Sequence, residues 1–132
     1  MFKRALLLGI VSGVLAGVAS VIYQRVYNNS LENADFSIVT SPVALIAAST
    51  FGCVLASTGY WLLNKWLKNK TDIVFNLLFV ILSFASILFI FAARLPKGVT
   101  ADPSLFPGHT VPMHFFPALG WLTLKPLFIK SN

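Results

Sequence analysis

Four long apolar runs, at residues 5–27, 42–63, 73–93 and 111–129, constrain this 132-residue chain more than any other feature. A hydrocarbon layer about 30 Å thick takes ~20 helical residues to cross, and the first three runs reach that length. In lipid the backbone must satisfy its own hydrogen bonds, so runs of this kind become helices. The expected fold is all-α: an antiparallel four-helix transmembrane bundle, in a single membrane domain over residues 1–132.

Composition points the same way. Apolar residues make up 57% of the chain and charged ones 11%, where a soluble domain carries about 25% charged. Mean hydropathy is +0.81. A net charge of +6 could suit nucleic acid. The lysines and arginines, however, fall in short clusters between the apolar runs, the pattern that topology selection produces. Membrane lipid is therefore the expected partner, and nucleic acid is not. The single cysteine, Cys53, lies inside the second run and excludes an intramolecular disulfide and a thiolate metal site. Lys3 and Arg4 precede the first run, and Gly17-Val18-Ala19 resembles a signal-peptidase site. The apolar stretch nevertheless continues through Ile22 to Tyr23 and Tyr27, longer than a signal core, and is expected to be retained.

Charge also sets an expected topology. Lys3, Arg4, Lys65, Lys68, Lys70, Lys125 and Lys130 fall on one side, with Asp72. Arg25, Arg94 and Lys97 fall on the other, with Glu32, Asp35 and Asp102. The positive-inside rule then places both termini in the cytoplasm and the loops 28–41 and 94–110 outside. Local signals agree with the boundaries. Ser41-Pro42 reads as a cap followed by proline at the first helical position, and Thr71 and Asp72 suit the start of the third helix. Trp61 and Trp66 fall where an inner aromatic belt belongs, and Tyr23 and Tyr27 at the outer edge.

Helix packing should centre on small residues. Gly9, Gly13 and Gly17 recur every four residues and share one face of the first helix, with Ser12, Ala16 and Ser20 in the adjoining row. In lipid such a groove gains from close van der Waals contact. Ala48, Gly52 and Ala56 offer a matching row on the second helix, flanked by Ser49, Cys53 and Ser57, so the two should form a tight antiparallel pair. The glycine row could equally serve an oligomer interface or a channel lining. Phenylalanines scattered around the third run make it a lipid-facing wall. Pro112, Pro117 and Pro126 interrupt the fourth, and a bend at Pro117 is expected.

Polar candidates gather at the outer ends of the helices: Gln24, Arg25, Arg94, His109 and His114. Gln24 continues the small-residue face and should point inward. His114 stands out, because a half-buried imidazole can hydrogen-bond, change charge near neutral pH or bind metal. Two histidines five residues apart miss the i, i+4 spacing of paired ligands, so no metal is expected. No acid lies within any run, so a carboxylate proton relay is missing. No nucleotide loop, haem pair or cofactor motif is present.

Thr110, Met113 and His114 open the fourth run, and Pro126 lies near its end. With the Gly/Ala-rich first run, this order of parts resembles a family of small four-helix bacterial membrane proteins of unknown function. Pro112 and Pro117 depart from the plainer helix of that pattern. The resemblance implies a multi-pass protein of the bacterial inner membrane and carries no activity. The expected function is non-enzymatic: an accessory subunit of a larger membrane complex, or a self-associating homo-oligomeric module. The alternative is a small channel or carrier whose outward-facing polar vestibule is lined by Gln24, Arg25, Arg94, His109 and His114. A third reading makes His114 the general base of an interfacial enzyme.

Overall fold

A computed structural model describes residues 1–31, 36, 40–92 and 102–130. The described elements are helical, with no strand among them: α1 (Phe2–Ser30), α2 (Pro42–Leu67), α3 (Thr71–Ala92) and α4 (Phe106–Phe128). Short 3-10 turns occupy Lys68–Lys70 and Pro103–Leu105. The first of these joins α2 to α3 without a break, so Pro42–Ala92 is one continuous helical path. Two paths, Phe2–Ser30 and Pro42–Ala92, are long and apolar enough to cross a membrane; α4 is not among them.

The helices overrun the apolar runs because side chains and prolines serve their ends. Ser41 Oγ accepts from Ala44 N at 3.2 Å, with Pro42 at the first position of α2. Asp102 Oδ1 accepts from Ser104 N at 2.9 Å and from its hydroxyl at 2.8 Å. These donors, the backbone one first, hold the Asp102 carboxyl below the usual carboxylate range. The helical path into α4 therefore begins before residue 111, and it runs on as α-helix through Pro112, Pro117 and Pro126. Lys68 closes α2 with positive-φ backbone, φ 45° and ψ −106°. Glycine adopts such a conformation freely, and holding a lysine there costs about 1–3 kcal/mol.

α1 turns its glycine row onto α2. A Cβ added to Gly9 would lie 2.8 Å from Cys53 O, one on Gly17 would lie 2.6 Å from Ile46 Cα, and one on Gly13 would run into Thr50 Cα. Rising numbers on α1 meet falling numbers on α2, so the pair is antiparallel. The α2 side of this seam differs from expectation. Ser49, Cys53 and Ser57 are buried, whereas Ala48 and Gly52 are exposed and nothing lies within 4 Å of a Cβ built on Gly52. The two rows are adjacent on the helix and both are small. Ser57 is drawn inward because the Trp121 indole of α4 donates to its Oγ at 2.8 Å.

α4 runs antiparallel to α1, where Gly120 approaches Ser12, and to α3, where Phe84 meets Phe115 at 5.6 Å between ring centres. Ser12 Oγ donates to Leu8 O at 2.6 Å and Ser20 Oγ to Ala16 O at 2.9 Å, so neither hydroxyl needs water. The core forms around fully buried Trp121, with Tyr60 and Phe75 ring centres at 5.5 and 4.6 Å.

Around this apolar core, several polar side chains are enclosed and many large apolar ones are left outside. Ser12, Ser20, Gln24, Ser57, Thr71 and His109 are buried, while Val43, Trp66, Ile73, Leu88, Phe89 and Leu127 are each more than 70% exposed. Only 11% of the most apolar window of Pro42–Ala92 is buried, against 44% for α1. α1 is thus the more buried of the two paths, and the α2–α3 hairpin is the more exposed. Between its two limbs runs an apolar groove of about 560 Å³, lined by Gly52, Ala56 and Gly59 of α2 and by Phe79, Leu82 and Ser86 of α3.

Candidate functional site

Two polar clusters occupy opposite ends of the molecule. The first joins the C-terminal end of α1 to the start of α4. Pro112 has no N–H, so the Gly108 carbonyl, four residues earlier, loses its helical donor. Tyr23 OH fills that place at 2.7 Å, and Tyr27 OH, one turn further along α1, donates to Leu105 O at 2.7 Å. Gly108 is what permits this, since a Cβ there would come 2.7 Å from the Tyr27 hydroxyl oxygen. Beside the tyrosines, the Gln24 amide Nε2 donates to the Thr40 carbonyl and, at 2.8 Å, to Thr40 Oγ1. Thr40 Oγ1 also lies 3.0 Å from His109 Nε2 and 3.0 Å from Phe36 O. Phe36 O also accepts from Thr40 N at 2.9 Å, and the direction of the Thr40–His109 bond follows the imidazole tautomer. The His109 ring sits between Phe36 and Tyr27, with centres 5.1 and 5.4 Å away.

The second cluster closes the opposite end. Lys125 Nζ, buried at the last turn of α4, donates to Asp72 Oδ1 at 2.6 Å across the start of α3. Tyr60 OH of α2 donates to the same oxygen at 2.6 Å. The ammonium also lies 4.7 Å from the Tyr60 ring centre and 6.0 Å from that of Trp121. One carboxylate oxygen thus ties three helices together. A polar pocket of about 460 Å³ opens beside it, with Arg4, Asn64, Lys68, Asn69 and Lys130 in its walls.

Of the residues marked out by the sequence, Gln24 and His109 converge and are 3% and 0% exposed. Arg25 is exposed on the outer surface of α1. His114 faces α3 instead, with Nδ1 3.2 Å from Ser86 Oγ, because five residues of helix turn it well away from His109. Arg94 lies outside the described residues, as do Glu32, Asp35 and Lys97. The arrangement therefore brings together two of the five vestibule candidates. Sequence reasoning missed Thr40 and the donor roles of Tyr23 and Tyr27, although Pro112 was a signal that the Gly108 carbonyl needed a donor. It also missed the Asp72–Lys125–Tyr60 tie, for which the shared side of Asp72 and Lys125 was a partial signal. Among the described residues no three His, Cys, Asp or Glu side chains gather as a metal site would require. No protein-family model, curated protein or solved structure matches this chain.

Proposed function

We propose that the chain is a non-enzymatic integral membrane protein, a four-helix transmembrane bundle with both ends in the cytoplasm, in the inner membrane of a bacterium. Its role is to dock an apolar helix of a partner subunit within the bilayer, as an accessory component of a larger complex. The exposed apolar surface supports the membrane setting, because exposed Leu, Ile and Phe side chains on α2 and α3 are at home in lipid.

The observation that carries the docking role is the groove between α2 and α3. One small-residue row of α2, Ser49–Cys53–Ser57, is filled by the glycines of α1. The next row, with Gly52, Ala56 and Gly59, faces the groove, and a Cβ on either glycine would touch nothing within 4 Å. A row of this kind lets a second backbone approach closely, as the α1 seam does in this same molecule. The carrier reading would need an open path past Gln24, and the Gln24–Thr40–His109 chain occupies that place.

Filling the groove from its own wall provides the test. Gly52→Leu with Gly59→Leu should leave the isolated protein within about 0.5 kcal/mol of its original stability, since both side chains enter open space. The same change should abolish a fixed-ratio complex recovered in mild detergent. A photo-crosslinker at position 59 should capture one partner, and one at the exposed Val26 of α1 should not. Capture of a second copy of the chain from position 59 would replace the accessory role with self-association. A monomer that gives no cross-link at position 59 in native membranes would end both.

A further inference from the structure

Topology explains why Arg4, Lys68 and Lys130 share a side of the membrane, but not why they share a cavity. All three line the polar pocket of about 460 Å³ beside the α2–α3 turn. Among the described residues none of them pairs with a carboxylate. The one carboxylate in the wall, Asp72, is engaged by Lys125 and by Tyr60, each at 2.6 Å. Three like charges around one cavity repel each other, and an anion between them would relieve that repulsion. Asn64 and Asn69 add neutral donors to the same lining.

Lys68 supplies an independent observation. It is held at the pocket wall by positive-φ backbone, φ 45°, at a helix end where glycine would be unstrained. Backbone strain of this kind clusters at ligand clamps, where it presets a side chain. The pocket also lies at the end of the molecule that carries Trp61 and Trp66, the depth of an interfacial aromatic belt. Lys65, by contrast, lies outside the pocket, over the Trp61 ring at 3.9 Å from its centre.

We infer that this pocket binds a phosphate-bearing anion, the headgroup of an anionic lipid, through Arg4, Lys68 and Lys130. Arginine offers the phosphate a planar fork and the two lysines offer point charges. The lipid source rests on the membrane reading above, whereas the phosphate chemistry of the pocket does not.

Native mass spectrometry of the full chain in detergent, titrated with phosphatidylglycerol, phosphatidylcholine or inorganic phosphate, tests this. Phosphatidylglycerol should be retained at least about fivefold more tightly than phosphatidylcholine, and Arg4→Gln or Lys130→Gln should each weaken it about fivefold. Lys65→Gln should match the original protein. Lys68→Gly should raise the thermal midpoint of the ligand-free protein while lowering its lipid affinity, a pairing that a merely structural lysine would not produce. Inorganic phosphate held with the same dependence on Arg4 and Lys130 would keep the site and assign it a soluble phosphate compound. Equal retention of both lipids with no phosphate bound would overturn the inference, as would a Lys65→Gln loss as large as that of the pocket variants. A chain that stays folded and monodisperse without detergent would sink the membrane reading while leaving the phosphate titration readable.

Discussion

Tyr23 does for α4 what its own backbone cannot. With no N–H at Pro112, the Gly108 carbonyl depends on the Tyr23 hydroxyl at 2.7 Å. Tyr23→Phe should therefore cost about 0.5–1.5 kcal/mol, the net worth of one hydrogen bond at an exposed acceptor. The same change in a Pro112→Ala background should cost distinctly less, because residue 112 then offers its own N–H. Reversible unfolding of the four proteins checks this, and equal costs in both backgrounds would refute it. The Asp72–Lys125 tie makes a second case. Lys125 is buried and the Asp72 side chain is 38% exposed, so solvent screens the pair in part. Lys125→Met should cost about 2 kcal/mol, and adding Asp72→Asn should recover part of that loss, since no charge is then stranded. At this scale the sequence was half legible. Gln24 could be placed inward because it extends a small-residue face. Which histidine goes inside depended on the rotation of α4, and that rotation follows from tyrosines on another helix.

The α1–α2 seam is where element-scale reasoning can be tested most sharply. Gly13→Leu drives a side chain into the Thr50 backbone. Even modest overpacking costs about 1–3 kcal/mol, and a whole leucine against backbone should prevent folding, read as loss of a monodisperse peak in detergent. Gly59→Leu, on the open side of α2, should elute unchanged. The glycine row of α1 was visible from its four-residue repeat. The answering row on α2 was not, because Ala48–Gly52–Ala56 and Ser49–Cys53–Ser57 differ by one step of about 100° and are equally small. What separates them is the Trp121 indole, which needs an acceptor and finds Ser57. α4 was hardest to read. Three internal prolines argue for interruption, yet Asp102 and Pro103 start its path early and neighbouring side chains serve the carbonyl that Pro112 strands.

For the whole molecule, the large apolar side chains left on the outside, around an interior that mixes aromatic and small polar residues, are the property from which the rest follows. The excess of apolar surface was legible from composition and run length alone, because 57% apolar residues in a chain of this size are more than its interior can take up. The proposed topology yields a further prediction. In a Cys53→Ser background, single cysteines at Lys68 and Lys130 should react with a membrane-impermeant thiol reagent from one face only. A cysteine at Ser104 should react from the other. Labelling of all three from the same face would refute the alternating path. The stranded Gly108 carbonyl also bears on how such a chain comes together. Once away from water, α4 carries an acceptor that it cannot serve alone, at a cost of a few kcal/mol. The helix that brings the missing donor is α1, through the Tyr23 hydroxyl. The contact between the first helix and the last is thus made where proline has taken away a helix's own donor.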